Sequence, residues 1–397
     1  MRSDRRPAAV FAAFYFFFYA AVSVMANYLN VYLETCRGFT GGQLGLYNGL
    51  ANLTTVFVLP FLGAFAGRLG GYRRALLLFS GGAVLSTAAI QWQSGAVGLV
   101  LLGCLESISR TCAVTAGDTR ISDHCLRTRG NYGAVRSFGS MGYALGSLLL
   151  GFLAAELGLG RTLLPAAAGG FLLAFGAAAF FPKESGERAG GQETQTVRTW
   201  DALRELAGNS RYRLLIFITL FSALTLDCNL NYIGNHLVST LGASERIISL
   251  NTACCVIPEV LFLPVVSRTI LPKYGYQALY RFSAAVLVLR CVFYLVVRNP
   301  LLFVLGSLFH CVAIGCNPVA GLAYAADSTR PELYGTAVSV YVMSQSIGRA
   351  VYGYACGWLY ERWGSFSIFA VLLVVNLISA GVIFTSKQLG GPAREAV

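Results

Sequence analysis

Long apolar stretches recur along the chain, separated by short polar joints. They fall at 8–33, 43–66, 75–91, 95–118, 132–155, 162–181, 214–239, 247–267, 278–297, 299–323, 336–360 and 366–386. Each approaches the ~20 apolar residues an α-helix needs to cross the hydrocarbon layer of a bilayer. The pattern predicts twelve transmembrane helices and an all-α membrane protein. The longest polar stretch runs from Lys183 to Arg213 and holds Glu184, Glu187, Arg188, Glu193, Arg198, Asp201, Arg204 and Glu205. Its Gly/Gln/Thr-rich start reads as a linker. It divides the chain into an N-terminal six-helix bundle (1–182), a cytoplasmic linker (183–213) and a C-terminal six-helix bundle (214–397).

The two halves echo each other. Arg68-Leu69-Gly70-Gly71-Tyr72-Arg73-Arg74 follows the second stretch and Lys273-Tyr274-Gly275-Tyr276 follows the eighth. Gly142 and Gly151 in the fifth stretch are matched 206 residues later by Gly348 and Gly357 in the eleventh. Two pseudo-symmetric six-helix bundles in parallel repeat are a transporter architecture, with a site expected near the bilayer midplane.

Composition and charge narrow the class. Only 12% of the 397 residues are charged, about half the ~25% of a soluble domain, and the mean hydropathy is +0.62. The formal net charge of +12 raises nucleic acid as a partner. Its distribution removes that reading. With the N-terminus inside, 21 basic residues fall in cytoplasmic segments and five outside (Arg37, Arg161, Arg246, Arg298, Arg362), the bias that orients membrane proteins. Arg2, Arg5 and Arg6 precede the first stretch, which is too long for a signal-peptide core. The expected place is the cell inner membrane, with both termini cytoplasmic. Eleven cysteines, with no C-x-x-C among them, read as small buried hydrophobes. No metal, cofactor or catalytic motif is expected, and the chain does not read as an enzyme.

Charges inside apolar stretches carry the functional reading, because each costs at least about 2.5–3.5 kcal/mol to insert. They are Glu106, Arg110, Asp118, Arg136, Asp227, Glu259, Arg290, His310 and Arg349. Glu106 and Arg110 stand four apart and can pair on one helix. Asp227 and Arg349 read as a structural bridge between the seventh and eleventh helices. Asp118 and Arg136 form either an end-of-helix pair or part of a site. Glu259 follows Pro258 with no partner near it in sequence. Asn27, Asn48, Asn52, Asn229, Asn231, Asn251, Asn317 and Gln345 add hydrogen-bonding groups. These serve helix packing or a neutral hydroxylated solute equally well.

The run Tyr132-Gly133-Ala134-Val135-Arg136-Ser137-Phe138-Gly139-Ser140-Met141-Gly142-Tyr143-Ala144-Leu145 resembles the fifth helix of the oligosaccharide–proton symporters. These belong to the major facilitator superfamily and are of the lactose permease type. Phe16-Phe17-Phe18-Tyr19 is similar to their first helix. The resemblance implies that Arg136 and Asp118 bind sugar hydroxyls and that Tyr143, where the family has tryptophan, stacks on the ring. It places Glu259 in both binding and proton coupling, with Arg290 and His310 in the coupling apparatus. It departs at Ala313, where the family has a proton-releasing glutamate. It departs also at Ser307 and Gln345, which replace lysines, and at Gly67, which replaces an acid. His310-Cys311-Val312-Ala313-Ile314-Gly315 resembles the related phenylpropionate permeases.

The expectation is a monomeric secondary transporter moving a sugar or glycoside with protons by alternating access. An uncoupled facilitator, and a transporter of aromatic acids or drugs, are the rival readings.

Overall fold

The structure is a computed structural model that describes residues 5–128, 132–182, 199–330 and 333–389. The described residues are helical almost throughout. In chain order the helices are α1 (Arg5–Arg37), α2 (Gly41–Val58), α3 (Leu62–Arg68), α4 (Tyr72–Trp92), α5 (Ala96–Thr128), α6 (Tyr132–Leu157), α7 (Leu159–Ala179) and α8 (Thr199–Gly208). Then follow α9 (Ser210–Asn231), α10 (Ile233–Asn235), α11 (Glu245–Val265), α12 (Leu271–Val296), α13 (Pro300–Leu305), α14 (His310–Ser328), α15 (Tyr334–Trp363) and α16 (Ser365–Thr385). Every expected stretch coincides with helix. Among the described residues, eight helical stretches are long and apolar enough to cross a membrane. One of them, 52 residues from Glu245 to Val296, holds two expected spans. Gly275 interrupts it with φ 72°, a left-handed conformation that a side chain would strain.

Local chemistry sets the joints. Thr40 and Gln43 form a reciprocal capping box at the start of α2, satisfying two orphan N–H groups. Pro60 sits in the 3-10 turn Leu59–Phe61 and divides the second expected span into α2 and α3. Arg73 donates to the carbonyls of Phe181 (3.0 Å) and Ala179 (2.7 Å), closing the C-terminal end of α7. The expected linker is helical from Thr199: α8 buries Ala202 and Leu206 and packs on α9 and α15.

The chain divides into two compact units, one of residues 1–193 with 244–249, the other of 194–243 with 250–397. In the first unit α1 packs on α6 and α7, α4 on α5 and α7, and α2 on α5. In the second, α9 packs on α15, and α12 on α14 and α16. Its core gathers Tyr212, Leu215, Ile218, Tyr280, Tyr324 and Tyr341. The outer faces are apolar: Leu85 is 72% exposed, Val97 75%, Leu261 69% and Val296 71%. Such surfaces suit lipid and not water.

Helices α1 and α6 meet through glycine. A Cβ at Gly142 would stand 2.0 Å from the Phe16 carbonyl oxygen, and one at Gly146 2.6 Å from that of Ala20. Backbone cannot swing aside as a side chain can. Gly142→Val is therefore expected to cut the yield of folded protein severely, read as the monodisperse fraction in detergent. A wild-type elution profile and melting temperature would refute this close-packing role.

Candidate functional site

In the first unit three helices supply the polar groups. Tyr15 and Tyr19 stand four apart on α1 and so share a face. Asp118 lies on α5; Tyr132, Arg136 and Tyr143 lie on α6. Arg136 Nε is 3.9 Å from Asp118 Oδ1. The Tyr15 hydroxyl donates to that same oxygen at 2.5 Å and Tyr132 at 3.3 Å. Arg136 Nη2 donates to the Tyr19 hydroxyl at 2.5 Å, and its guanidinium lies 4.2 Å from the Tyr19 ring centroid and 5.2 Å from that of Tyr15. Gly139 leaves this space: a Cβ there would meet Arg136 Nη1 at 2.7 Å and the Tyr19 ring at 3.0 Å.

The acid and base are thus held by phenols and not by each other alone. Their side chains stay 37% and 33% exposed. The carboxylate keeps free lone pairs and the guanidinium keeps free N–H groups. Such a pair can receive and donate hydrogen bonds to vicinal hydroxyls, strengthened by charge. Tyr143, two turns beyond Arg136, is half-buried and accepts from Asn27 Nδ2 at 3.4 Å.

In the second unit a polar chain runs between α12, α14 and α11. Arg290, 1% exposed, donates from Nε (3.1 Å) and Nη2 (3.0 Å) to the Tyr294 hydroxyl. Its Nη1 is 3.4 Å from His310 Nδ1. The Tyr294 hydroxyl is 3.0 Å from Ser307 Oγ, which donates to Asn251 Oδ1 at 2.5 Å. Arg290 and His310 are therefore brought together. Glu259 is not joined to them: it makes no hydrogen bond or ion pair among the described residues. Arg349 is half-buried on α15, and the side chain of its expected partner Asp227 lies outside the described residues, as do those of Cys228 and Asn229.

Several of these groups have no assigned role in the sequence reading. Tyr15 and Tyr294 are not singled out there, Tyr132 only opens the run that resembles the family's fifth helix, Ser307 appears as a departure from that family, and Asn251 as a group for packing or for a hydroxylated solute. A four-residue spacing was the available signal, between Tyr15 and Tyr19 and between Arg290 and Tyr294.

A cavity of about 340 Å³ opens elsewhere in the second unit, beside Glu205, Asn209, Asp327 and Arg330. Its charges are committed to each other: Arg330 pairs with Glu205, and Arg211 donates to Asp327 at 2.6 Å. It reads as a gap in helix packing.

Lipid-facing helices that enclose charged and hydroxylated side chains define a multi-pass membrane transporter. The chain belongs to the MFS_1 like family of the major facilitator superfamily, whose model matches residues 9–371. It is 24% identical over 379 residues to the uncharacterized transporter YwbF of Bacillus subtilis (strain 168), covering 94% of this chain and 91% of that one. It is 25% identical over 383 residues to a maltose permease of Geobacillus stearothermophilus, covering 94% and 93%. Solved transporter structures share its fold. The nucleoside transporter NupG matches with TM-score 0.81 at 16% identity over 96% of this chain and 99% of that one. A bacterial homologue of the lysosomal transporter Spinster, inward-facing and unoccupied, matches with TM-score 0.70 at 14% identity over 98% of each.

Proposed function

We propose that the protein is a twelve-span, monomeric secondary transporter of the inner membrane, with both termini cytoplasmic, carrying a sugar or glycoside together with a proton. The observation that carries this reading is the Asp118–Arg136 pair, set among the hydroxyls of Tyr15, Tyr19 and Tyr132 and still open. A charge of one sign within apolar helices would call for an ionic solute. A balanced pair suits a neutral solute rich in hydroxyls, which can accept from the guanidinium and donate to the carboxylate at once. Tyr143 offers an aromatic face to the apolar side of a pyranose. The maltose permease likeness supports the same solute class.

Glu259 is the proposed proton carrier. It stands in the apolar helix α11 with no ion pair among the described residues, so it can gain and lose a proton without breaking one. Arg290 and His310 would tune that exchange.

The test is to add sugars to lightly buffered, de-energised cells and record external pH alongside sugar entry. Entry with alkalinisation is expected. Entry with no pH change would support the second reading, an uncoupled facilitator, which Ala313 favours by standing where the resemblance places the releasing glutamate. Inhibition by aromatic acids with none by neutral sugars would overturn the sugar reading.

A further inference from the structure

We infer that Tyr15 positions Asp118 for the solute: its phenol occupies one carboxylate oxygen, leaves the other to a solute hydroxyl and keeps the Asp118–Arg136 pair from closing on itself. The inference deepens the sugar or glycoside reading and rests on it. The contacts of Asp118 fall on one atom. Tyr15 donates to Oδ1 at 2.5 Å, Tyr132 donates at 3.3 Å, and Arg136 Nε lies 3.9 Å from it, beyond hydrogen-bond reach. Oδ2 accepts from no described residue. The guanidinium is divided in the same way. Its Nη2 donates to the Tyr19 hydroxyl at 2.5 Å, while Nη1 donates to no described residue.

Left to themselves, an arginine and a carboxylate close into a two-point pair with N···O distances of about 2.7–2.9 Å. That pair takes up both carboxylate oxygens and leaves a solute little to bind. Here each partner lies closer to a phenol of α1 than to the other. Tyr15 takes the acid, and Tyr19, one turn on, takes the base. Helix α1 is seated closely enough to do so because Gly117 precedes Asp118. A Cβ there would stand 2.8 Å from the ring of Phe14, which precedes Tyr15.

Tyr15 is 0% exposed, whereas the Asp118 side chain is 37% exposed. The phenol is sealed from a solute and acts only through the carboxylate. A buried tyrosine that only packs can donate to a backbone carbonyl, as Tyr28 does to Ser147 (2.9 Å) and Tyr212 to Ala337 (2.6 Å). Tyr15 donates instead to an acid that stays open. The two open atoms define the solute contact. Oδ2 takes a proton from a hydroxyl, and Nη1 gives one to a neighbouring oxygen. A hydroxyl facing Oδ2 is therefore indispensable, while an ether oxygen suffices opposite Nη1.

The test is competition by monodeoxy and mono-O-methyl derivatives of methyl glucoside and methyl galactoside against uptake of a labelled parent sugar in proteoliposomes. The proteins are wild type, Tyr15→Phe and Tyr132→Phe; phenylalanine keeps the ring and removes only the hydroxyl. In wild type, one ring position is expected at which deoxygenation and methylation alike weaken inhibition about tenfold or more, the loss of one charge-assisted hydrogen bond. In Tyr15→Phe that ratio should fall to about threefold or less, because the parent loses a contact the derivatives never made. Tyr132→Phe, whose bond is longer, should lower it less. A packing role for Tyr15 would weaken parent and derivatives alike; a wild-type ratio in Tyr15→Phe would therefore overturn the inference. If Tyr15→Phe gives no folded protein, the ratio in Tyr132→Phe decides: lowered supports the inference, unchanged overturns it. Wild-type transport of a sugar with no such ring position would overturn it too. Failure of wild-type protein to move any sugar of the panel would overturn the sugar reading itself, and this inference with it.

Discussion

Arg136→Ala is expected to lower uptake at subsaturating solute by about a hundredfold or more, with the protein still present in the membrane. The substitution removes the donor to the Tyr19 hydroxyl and the counter-charge 3.9 Å from Asp118. Truncating one partner of a hydrogen-bonded charge pair costs about 2–5 kcal/mol, much of it from stranding the other charge. Arg136→Lys separates charge from geometry. It keeps the cation but loses the planar fork that can bond a hydroxyl pair. Uptake by the lysine variant should therefore remain well below wild type. Initial rates in proteoliposomes, normalised to reconstituted protein, decide the matter. Near wild-type uptake by either variant would remove Arg136 from the binding site.

Glu259→Gln is expected to abolish accumulation while sparing exchange. An amide cannot carry the proton, so solute-driven alkalinisation and uphill uptake should fall to background. Counterflow of labelled solute between equal pools needs no net proton movement and should persist. Loss of both would place Glu259 in binding alone. Retention of both would eliminate it as the coupling acid.

How far the sequence foretold these features depends on what hydropathy can register. The helices were legible because each has to be apolar over nearly its whole membrane length. Their polar extensions were not. The stretch expected at 95–118 continues as α5 to Thr128. There Asp123 pairs with Arg120 and Arg127 at three- and four-residue spacing, holding the helix together outside the apolar zone. Helix α8 escaped notice because a short amphipathic helix with Ala202 and Leu206 as its buried face averages to a polar segment.

At the candidate site the charged residues stood out because charge is costly in lipid. The approach of Asp118 to Arg136 could be anticipated from the family pattern. The phenols around them could not, since a tyrosine in an apolar run looks the same whether its hydroxyl meets lipid headgroups or a carboxylate. The separation of Glu259 from the Arg290–His310 link depends on how α11, α12 and α14 are rotated, and linear spacing carries no such information.

The two ion pairs of α5 and α6 have an electrical consequence. Moving one elementary charge through the full membrane potential involves about 2.3 kcal/mol per 100 mV. Glu106 offsets Arg110, and Asp118 offsets Arg136. These two pairs of the first unit therefore carry no net charge through the field, empty or beside a neutral solute. Voltage gains no purchase on them, and under the proposed symport the work it does in a transport cycle falls on the proton.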